Sequence, residues 1–334
     1  MIQPLGVAVI GAGVMGERHA RVFAELPDTE LVAVADIDEA RAANLGACFG
    51  VRGFTNAEEA ITRTGVDVVS ICTSDQAHVE PCRLAAGAGK HILLEKPLAT
   101  SVADAEEIIK ACQDAGVLLM VGHILRFDPR YAEAQRVIAT GGVGEIIHLY
   151  GRRNNVKASG RRIAGRTNVA FFLGVHDIDV MRWYVGDEVR RAYAIARTKV
   201  LAEFNTPDTI FALLSFDNGV IASLETCWAM PEGTTCTLDA RLDVVGTDGM
   251  VNVEVRGGGL RVVDDRTSSR PDVCYGPVVA GRQAGALRTQ LEHFVECVRT
   301  GRDPIITPHD ALQAVRVAEA ITQSLESGQD VVLP

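Results

Sequence analysis

In HILLEKPLAT, residues 91–100, an apolar run ends on Glu95, Lys96 and Pro97 side by side. A lysine held at such a corner can hydrogen-bond a hydroxyl and stabilise the negative charge that develops as its proton leaves. Pro97 has no amide hydrogen and fixes its own φ, so it stops a strand and constrains Lys96 before it; a cis Lys96–Pro97 bond is compatible with that turn. A second stretch, NVAFFLGVHDIDVMRWYVG (168–186), is apolar almost all round, which predicts a largely buried helix. His176 and Asp179 fall three apart on one face of it, and buried polar groups need partners or a purpose. An imidazole titrates near neutrality and suits the exchange of a hydroxyl proton. On residue types alone the plainer readings stay open: a lysine in a surface turn, and a core histidine satisfied by Asp179.

Such side chains need a frame, and the N-terminal third supplies one. An apolar run from Leu5 to Ile10 leads into GAGVMG (Gly11 to Gly16), and ERHARVFAEL then places Val22, Phe23 and Leu26 at helical spacing. The next strand, ELVAVAD, ends in Asp36, 20 residues past Gly16. Strand, glycine turn, helix and a later acid make up a dinucleotide-binding fingerprint. Gly11 permits the tight turn, Gly13 lets the backbone approach a pyrophosphate, and Gly16 lets helix and strand pack closely. The amides of Val14 and Met15 open a helix N-terminus whose partial positive charge suits a phosphate. Asp36, with Ile37 beside it, is expected at the adenosine ribose, where a carboxylate accepts hydrogen bonds and repels a 2′-phosphate. NAD is therefore expected ahead of NADP, although Arg41 could bend back towards a 2′-phosphate and leaves NADP open.

The runs VDVVSICT, HILLE and VLLMVG continue the alternation as unbroken apolar strands, the pattern of a parallel sheet covered on both faces. Ligands of such sheets bind outside the carboxyl ends of the strands, which places Thr73, Ser74 and the 95–97 corner on the edge of the glycine turn. From Glu145 the pattern turns strand-rich: EIIHLYGRRN, RRAYAIARTKV, TIFALLSF, VIASLETCWA, LDARLDVVG and MVNVEVR, with D-N-G at 217–219 and T-D-G at 247–249 as hairpin turns. Gly257 to Gly259 reads as another hairpin turn, since no helix follows it. The expected fold is an α/β N-terminal Rossmann domain with a doubly wound parallel sheet (1–122) plus an α+β C-terminal domain (123–334) with a large open, mostly antiparallel sheet. The second domain is expected to bind substrate and form oligomers, and to end in helices near 286–300 and 309–325.

Composition narrows the function classes. A chain of 334 residues, 47% hydrophobic, can fill two cores, and its net charge of −10 argues against nucleic acid or an anionic membrane surface as partner. A small molecule fits better. No apolar stretch approaches the roughly 20 residues of a membrane span. The first apolar run lacks the features of a secretory leader, so a cytoplasmic location is expected. Eight cysteines never form C-x-x-C, so they read as reduced core residues, and no metal is expected.

Taken together, GAGVMGERHA, TSDQAHVEP, AGKHILLEKPLA and VGHILRFDPRY resemble the glucose-fructose oxidoreductase and inositol dehydrogenase family (Gfo/Idh/MocA), closely over the first 150 residues and more loosely beyond. The resemblance implies an NAD(P)-dependent oxidoreductase moving hydride between nicotinamide and a secondary alcohol or ketone of a cyclic polyol, sugar or sugar acid. It makes Lys96, the lysine of E-K-P, catalytic. It makes His176, in G-x-H-x-x-D, the group that binds the reacting hydroxyl and takes its proton. It implies that Glu95 and His78 lie near the cofactor, with Arg126 at its nicotinamide end, and that Asn155, Arg166, Asn168, Phe172 and Asp179 bind substrate. It implies subunit contacts through the exposed face of the second sheet, hence a homodimer or homotetramer.

Phe172 departs from the pattern, because many members carry an aspartate four residues before this histidine. Either Asp179 or a substrate group takes the polar role, or the pocket suits another substrate, or the chain senses cofactor without turnover. One further segment bears on the substrate. Arg152, Arg153, Lys157, Arg161, Arg162 and Arg166 follow one another without an intervening acid. They are expected to form a mobile basic lid for a carboxylate, phosphate or nucleotide diphosphate, which would favour a nucleotide-sugar dehydrogenase. A solvated loop or a subunit contact is the plainer alternative.

Overall fold

The computed structural model describes residues 3–256 and 259–334, and these divide into two compact units. One runs to Ile124 and takes in Gly276–Leu312; the other comprises Leu125–Tyr275 and Gln313–Pro334.

In the first unit the strands are β1 (Leu5–Ile10), β2 (Thr29–Ala35), β3 (Arg52–Phe54), β4 (Val68–Ile71), β5 (His91–Leu94) and β6 (Leu119–Val121). All pair in parallel, in the order β3-β2-β1-β4-β5-β6. The side chains of β1, β4, β5 and β6 are almost all buried on both faces, as unbroken apolar runs require. Strand order reverses between β1 and β4, the switch point where such sheets take their ligands. The connecting helices are α1 (Val14–Glu25), α2 (Glu39–Phe49), α3 (Ala57–Ile61), α4 (Val79–Gly87) and α5 (Val102–Ala115). Asp38, Asn56 and Ser101 start α2, α3 and α5 by accepting a first-turn amide hydrogen.

The second unit is built on a seven-stranded sheet. Its strands are β7 (Ile146–Val156), β8 (Val189–Arg197), β9 (Thr209–Phe216), β10 (Ile221–Met230), β11 (Leu238–Gly246), β12 (Met250–Glu254) and, near the C terminus, β17 (Val331–Val332). The order is β12-β11-β7-β10-β9-β8-β17. Every neighbour pairs antiparallel except β7 with β10, a parallel pair that joins two antiparallel halves. Helices α6 (Pro129–Ala139), α7 (Lys157–Ile163) and α8 (Val175–Val185) belong to this unit. Alternation along β9 and β10 buries Ala212, Leu214, Ala222, Leu224 and Trp228 on one face. Gly151 of β7 lets α8 lie close, since a Cβ there would stand 2.4 Å from Met181 Cε. The opposite face leaves Ile195, Phe211, Leu213 and Ile221 more than half exposed.

Four two-residue strands, β13 (Val262–Val263) with β14 (Ser268–Ser269) and β15 (Val278–Val279) with β16 (Arg282–Gln283), make two small ribbons. Helix α9 (Ala286–Thr300) follows, then α10 (Pro308–Ser327). Sequence reading expects α9 to close the second domain. The chain instead returns it to the first unit, where Leu287, Leu291 and Phe294 are fully buried and Arg288 bonds Glu25 of α1 at 3.3 Å. Of the expected turn at Gly257 to Gly259, the first two glycines lie outside the described residues.

Candidate active site

The three glycines of GAGVMG meet three different demands. Gly11 has φ +98°, and a Cβ on it would stand 2.6 Å from the Cys72 carbonyl oxygen. A Cβ on Gly16 would reach within 1.7 Å of the Gly11 carbonyl oxygen, so only glycine lets α1 follow β1 this tightly. At Gly13 nothing lies within 4 Å, which leaves an open cradle over the start of α1. That cradle has the backbone amides and the helix N-terminus that a pyrophosphate needs. Asp36 is fixed at the end of β2 by accepting from Ala12 N at 2.7 Å and from Asp38 N at 2.9 Å. Each carboxylate oxygen keeps a second lone pair for a ribose hydroxyl. Ile37 beside it is 95% exposed, and Val14 on the loop is 57% exposed. An apolar side chain left bare next to an acid at this strand end is what an adenine face would cover, so these residues fit NAD.

The corner after β5 is braced from below. Its Lys96–Pro97 bond is cis. His78, 1% exposed, bonds the Pro97 carbonyl oxygen through Nδ1 at 3.0 Å, and burial lowers its pKa. A neutral ring then donates from Nδ1. His78 therefore supports the corner from the interior. Thr73 donates its hydroxyl to the Ala77 carbonyl at 3.2 Å, and Ser74 opens the short turn at Asp75–Ala77. Beneath Glu95 sits a residue that sequence reading missed. His19 of α1 is fully buried, with Nδ1 2.8 Å from Ser70 Oγ and Nε2 3.1 Å from Glu95 Oε1. A signal was present: His19 stands three and four positions before Val22 and Phe23, on the stripe that α1 buries.

In the second unit the stretch 168–186 forms one five-residue π-helical turn, Ala170–Gly174, and then α8. A wide turn of that kind often marks a functional position. His176, half-buried, is the second residue of α8. Gly174 packs against β10, where a Cβ would meet Thr226 and Leu224 at 3.4 and 3.7 Å. Phe172 is half-buried, its ring 5.9 Å from that of Trp228.

Several expected substrate and cofactor ligands have partners within their own unit. Asp179, fully buried, takes a bidentate pair from Arg126 at 2.7 and 3.0 Å, and the same guanidinium lies 5.4 Å from the Trp183 ring centre. Both carboxylate oxygens are thus engaged inside the unit, and Arg126, 5% exposed, serves that ion pair. Asn168 is a helix cap: its Oδ1 accepts from Ala170 N and Phe171 N, and its Nδ2 donates to Thr322 Oγ1 at 3.1 Å. Asn155, half-buried, spends Oδ1 on the next amide at 2.7 Å.

The basic segment is a strand and a helix rather than a loop. Arg152 and Arg153 lie in β7, paired with Asp239 at 3.0 Å and Asp177 at 2.6 Å, and Arg153 also donates to the Tyr131 hydroxyl at 3.1 Å. Lys157–Ile163 is helix α7, held against Trp228 at Gly160, and Arg161 stands 3.7 Å from Glu203. Arg162 and Arg166 are exposed. Among the described residues no group of three or more potential ligands could hold a metal ion.

The model of the Gfo/Idh/MocA oxidoreductase family's NAD-binding Rossmann fold matches residues 5–123, and that of its C-terminal alpha/beta domain matches residues 150–333. A scyllo-inositol 2-dehydrogenase (NAD(+)) of Bacillus subtilis is 29% identical over 98% of this chain and 95% of its own. Inositol 2-dehydrogenase 2 of Saccharopolyspora erythraea is 30% identical over 97% of this chain and 94% of its own. Among solved structures, the myo-inositol 2-dehydrogenase of Lactobacillus plantarum superposes with a TM-score of 0.87 at 26% identity, covering 99% of this chain and 100% of that one.

Proposed function

The chain belongs to the Gfo/Idh/MocA family of NAD-dependent oxidoreductases, and from that premise we propose that it oxidises a secondary alcohol of an inositol-like cyclic polyol, or runs the reverse reduction. The observation that carries the redox half of this reading is the glycine loop, open at Gly13 and closed everywhere a Cβ would collide. When bound there, NAD supplies the hydride acceptor. The amides of Val14 and Met15 would hold the pyrophosphate, and Asp36 would hold the ribose.

His176 binds the reacting hydroxyl and takes its proton, a task for which an imidazole near neutrality is suited. Lys96 donates a hydrogen bond to the same oxygen and stabilises its negative charge as the carbonyl forms. The polyol class rests on the inositol dehydrogenases to which the chain is similar end to end. A neutral substrate also agrees with the basic segment, whose Arg152 and Arg153 already hold carboxylates within their own unit.

The same reading divides the labour: cofactor to the first unit, substrate and subunit contacts to the second. The bare sheet face supports a homo-oligomer. Tyr193 opposes Leu213 and Ile195 opposes Phe211 across β8 and β9, forming an apolar patch of a kind monomers seldom expose. A cytoplasmic location belongs to this reading as well; among the described residues no helix is long and apolar enough to cross a membrane.

The test is reduced-nicotinamide absorbance with NAD and a panel of inositols, aldoses, sugar acids and nucleotide sugars, with Lys96→Ala as control. Turnover of a polyol that vanishes in the variant supports the reading. Tight NAD binding without turnover across the panel would replace it with a cofactor-sensing role.

A further inference from the structure

The first unit contains a largely buried ionisable cluster, of which the reaction above uses only Lys96. His19 enters from α1, Ser70 and Cys72 from β4 and its end, and Glu95 and Lys96 from the end of β5. The imidazole is fully buried and both its nitrogens are engaged, Nδ1 by Ser70 Oγ at 2.8 Å and Nε2 by Glu95 Oε1 at 3.1 Å. Ser70 Oγ in turn lies 3.7 Å from Cys72 Sγ. Glu95 keeps its side chain 12% exposed and precedes Lys96 directly. Helix α9 closes the far side with the uncharged Gln290: a Cβ on Gly122 would meet Gln290 Nε2 at 3.2 Å and Glu95 Oε1 at 3.3 Å.

A lysine and a glutamate on consecutive residues attract each other, and a carboxylate left to itself beside Lys96 would compete with substrate for the ammonium group. A cation on the buried side of Glu95 removes that competition. Resting on the dehydrogenase reading for what Lys96 does, we infer that His19 is a positioning residue: it takes up the charge of Glu95 from below, so that Lys96 directs its ammonium at the substrate oxygen.

Electrostatics agree with the geometry. Burial alone would lower the His19 pKa, but Cys72 and Glu95 beside it raise it to about 10. Burial would raise that of Glu95, yet the hydrogen bond and charge of His19, followed by Lys96 and His78, bring it below the ordinary carboxylate value. Both shifts favour an imidazolium over a neutral ring and a carboxylate over a neutral acid, the charge states that the 3.1 Å contact calls for.

The decisive measurement needs no substrate. Acetic anhydride labelling of Lys96, followed by mass spectrometry across pH, is compared between the wild type and folded His19→Asn and His19→Leu. Both variants lack the cation, so the Glu95 carboxylate should hold Lys96 protonated to higher pH. Lys96 should then react about tenfold more slowly at a given pH, the change expected of one pKa unit. Glu95→Gln added to either variant should restore the rate. An unchanged rate in a folded variant overturns the inference, and so does an NMR spectrum of the wild type showing a neutral His19 ring at pH 7. If a polyol is turned over, His19→Asn should lower kcat while leaving the KM for NAD in place. It should also move the acid limb of kcat/KM to higher pH, because Glu95 has lost the group that keeps it ionised; a limb that stays put counts against the role. Failure of the wild type to turn over any polyol would remove the proposed activity and leave the labelling result standing.

Discussion

Two buried ion pairs, one in each unit, use the same kind of chemistry for different ends. His19 and Glu95 meet at 3.1 Å at the carboxyl edge of the parallel sheet, with Glu95 still 12% exposed and followed by a lysine. Arg153 and Asp177 meet at 2.6 and 3.0 Å with side chains 4% and 0% exposed, and Tyr131 completes the guanidinium's partners. The first pair is open on one side to whatever Lys96 faces. The second is sealed, joining β7 to α8. Position on the sheet edge and exposure on one side are what separate the first pair from the second, which holds a helix in place.

The largest effect should come from breaking the sealed pair. Asp177→Ala leaves a buried guanidinium without its counter-charge and should cost about 3–5 kcal/mol of stability, read as a lowered urea midpoint. A loss below about 1 kcal/mol would show that Arg153 finds water or another acid and that the pair is not sealed. At the sheet edge the loss should fall on rate. Lys96→Ala should lower kcat about 10²–10³-fold, the range for removing one donor to a developing oxyanion, with its thermal midpoint close to the wild type's. A variant that loses stability and keeps its rate would reverse the comparison.

The pH dependence of stability sharpens the same contrast. His19 has a raised folded pKa, so its contribution is fully present below the unfolded value of 6.5 and is lost as pH rises towards about 10. Glu95 has a depressed one, so its contribution is present above its unfolded value and lost as pH falls through the folded value. Wild-type stability should therefore decline between about pH 6.5 and 10 more steeply than that of His19→Leu, measured by denaturation at successive pH values. Parallel curves would mean that the ring is neutral in the fold.

What sequence reading could see divides along the same line. The glycine loop, Asp36 and the Lys96 corner are local patterns, each written within a few residues, and the apolar runs of a parallel sheet need no partner to be recognised. His19 lay within reach too, as a polar residue on the buried stripe of α1. The second unit depends on pairings far apart in the chain. Arg126 reaches Asp179 across 53 positions, Arg152 reaches Asp239 across 87, and β7 pairs in parallel with β10 through a long crossover. No local pattern marks which acid a given arginine will meet, so a run of bases on paper became a strand and a helix in which Arg152, Arg153 and Arg161 have acids beside them. Asp179 shows the same limit, since its spacing from His176 is visible and its partner Arg126 is not.

Asn168 offers the smallest effect and the cleanest separation of the two kinds of role. Its Oδ1 accepts from Ala170 N and Phe171 N, at the start of the wide turn that precedes His176, and its Nδ2 ties that start to Thr322 of α10. A substrate ligand at this position would show its loss in KM, with stability untouched. A cap shows the opposite. Asn168→Ala should lower stability by about 1 kcal/mol, the usual cost of a missing cap, with KM for the polyol unchanged. Asn168→Asp keeps the two acceptor bonds and loses only the donor to Thr322, whose hydroxyl also donates to the Ala318 carbonyl, so it should recover most of that loss. A raised KM in both variants at wild-type stability would return Asn168 to the substrate and make the cap incidental.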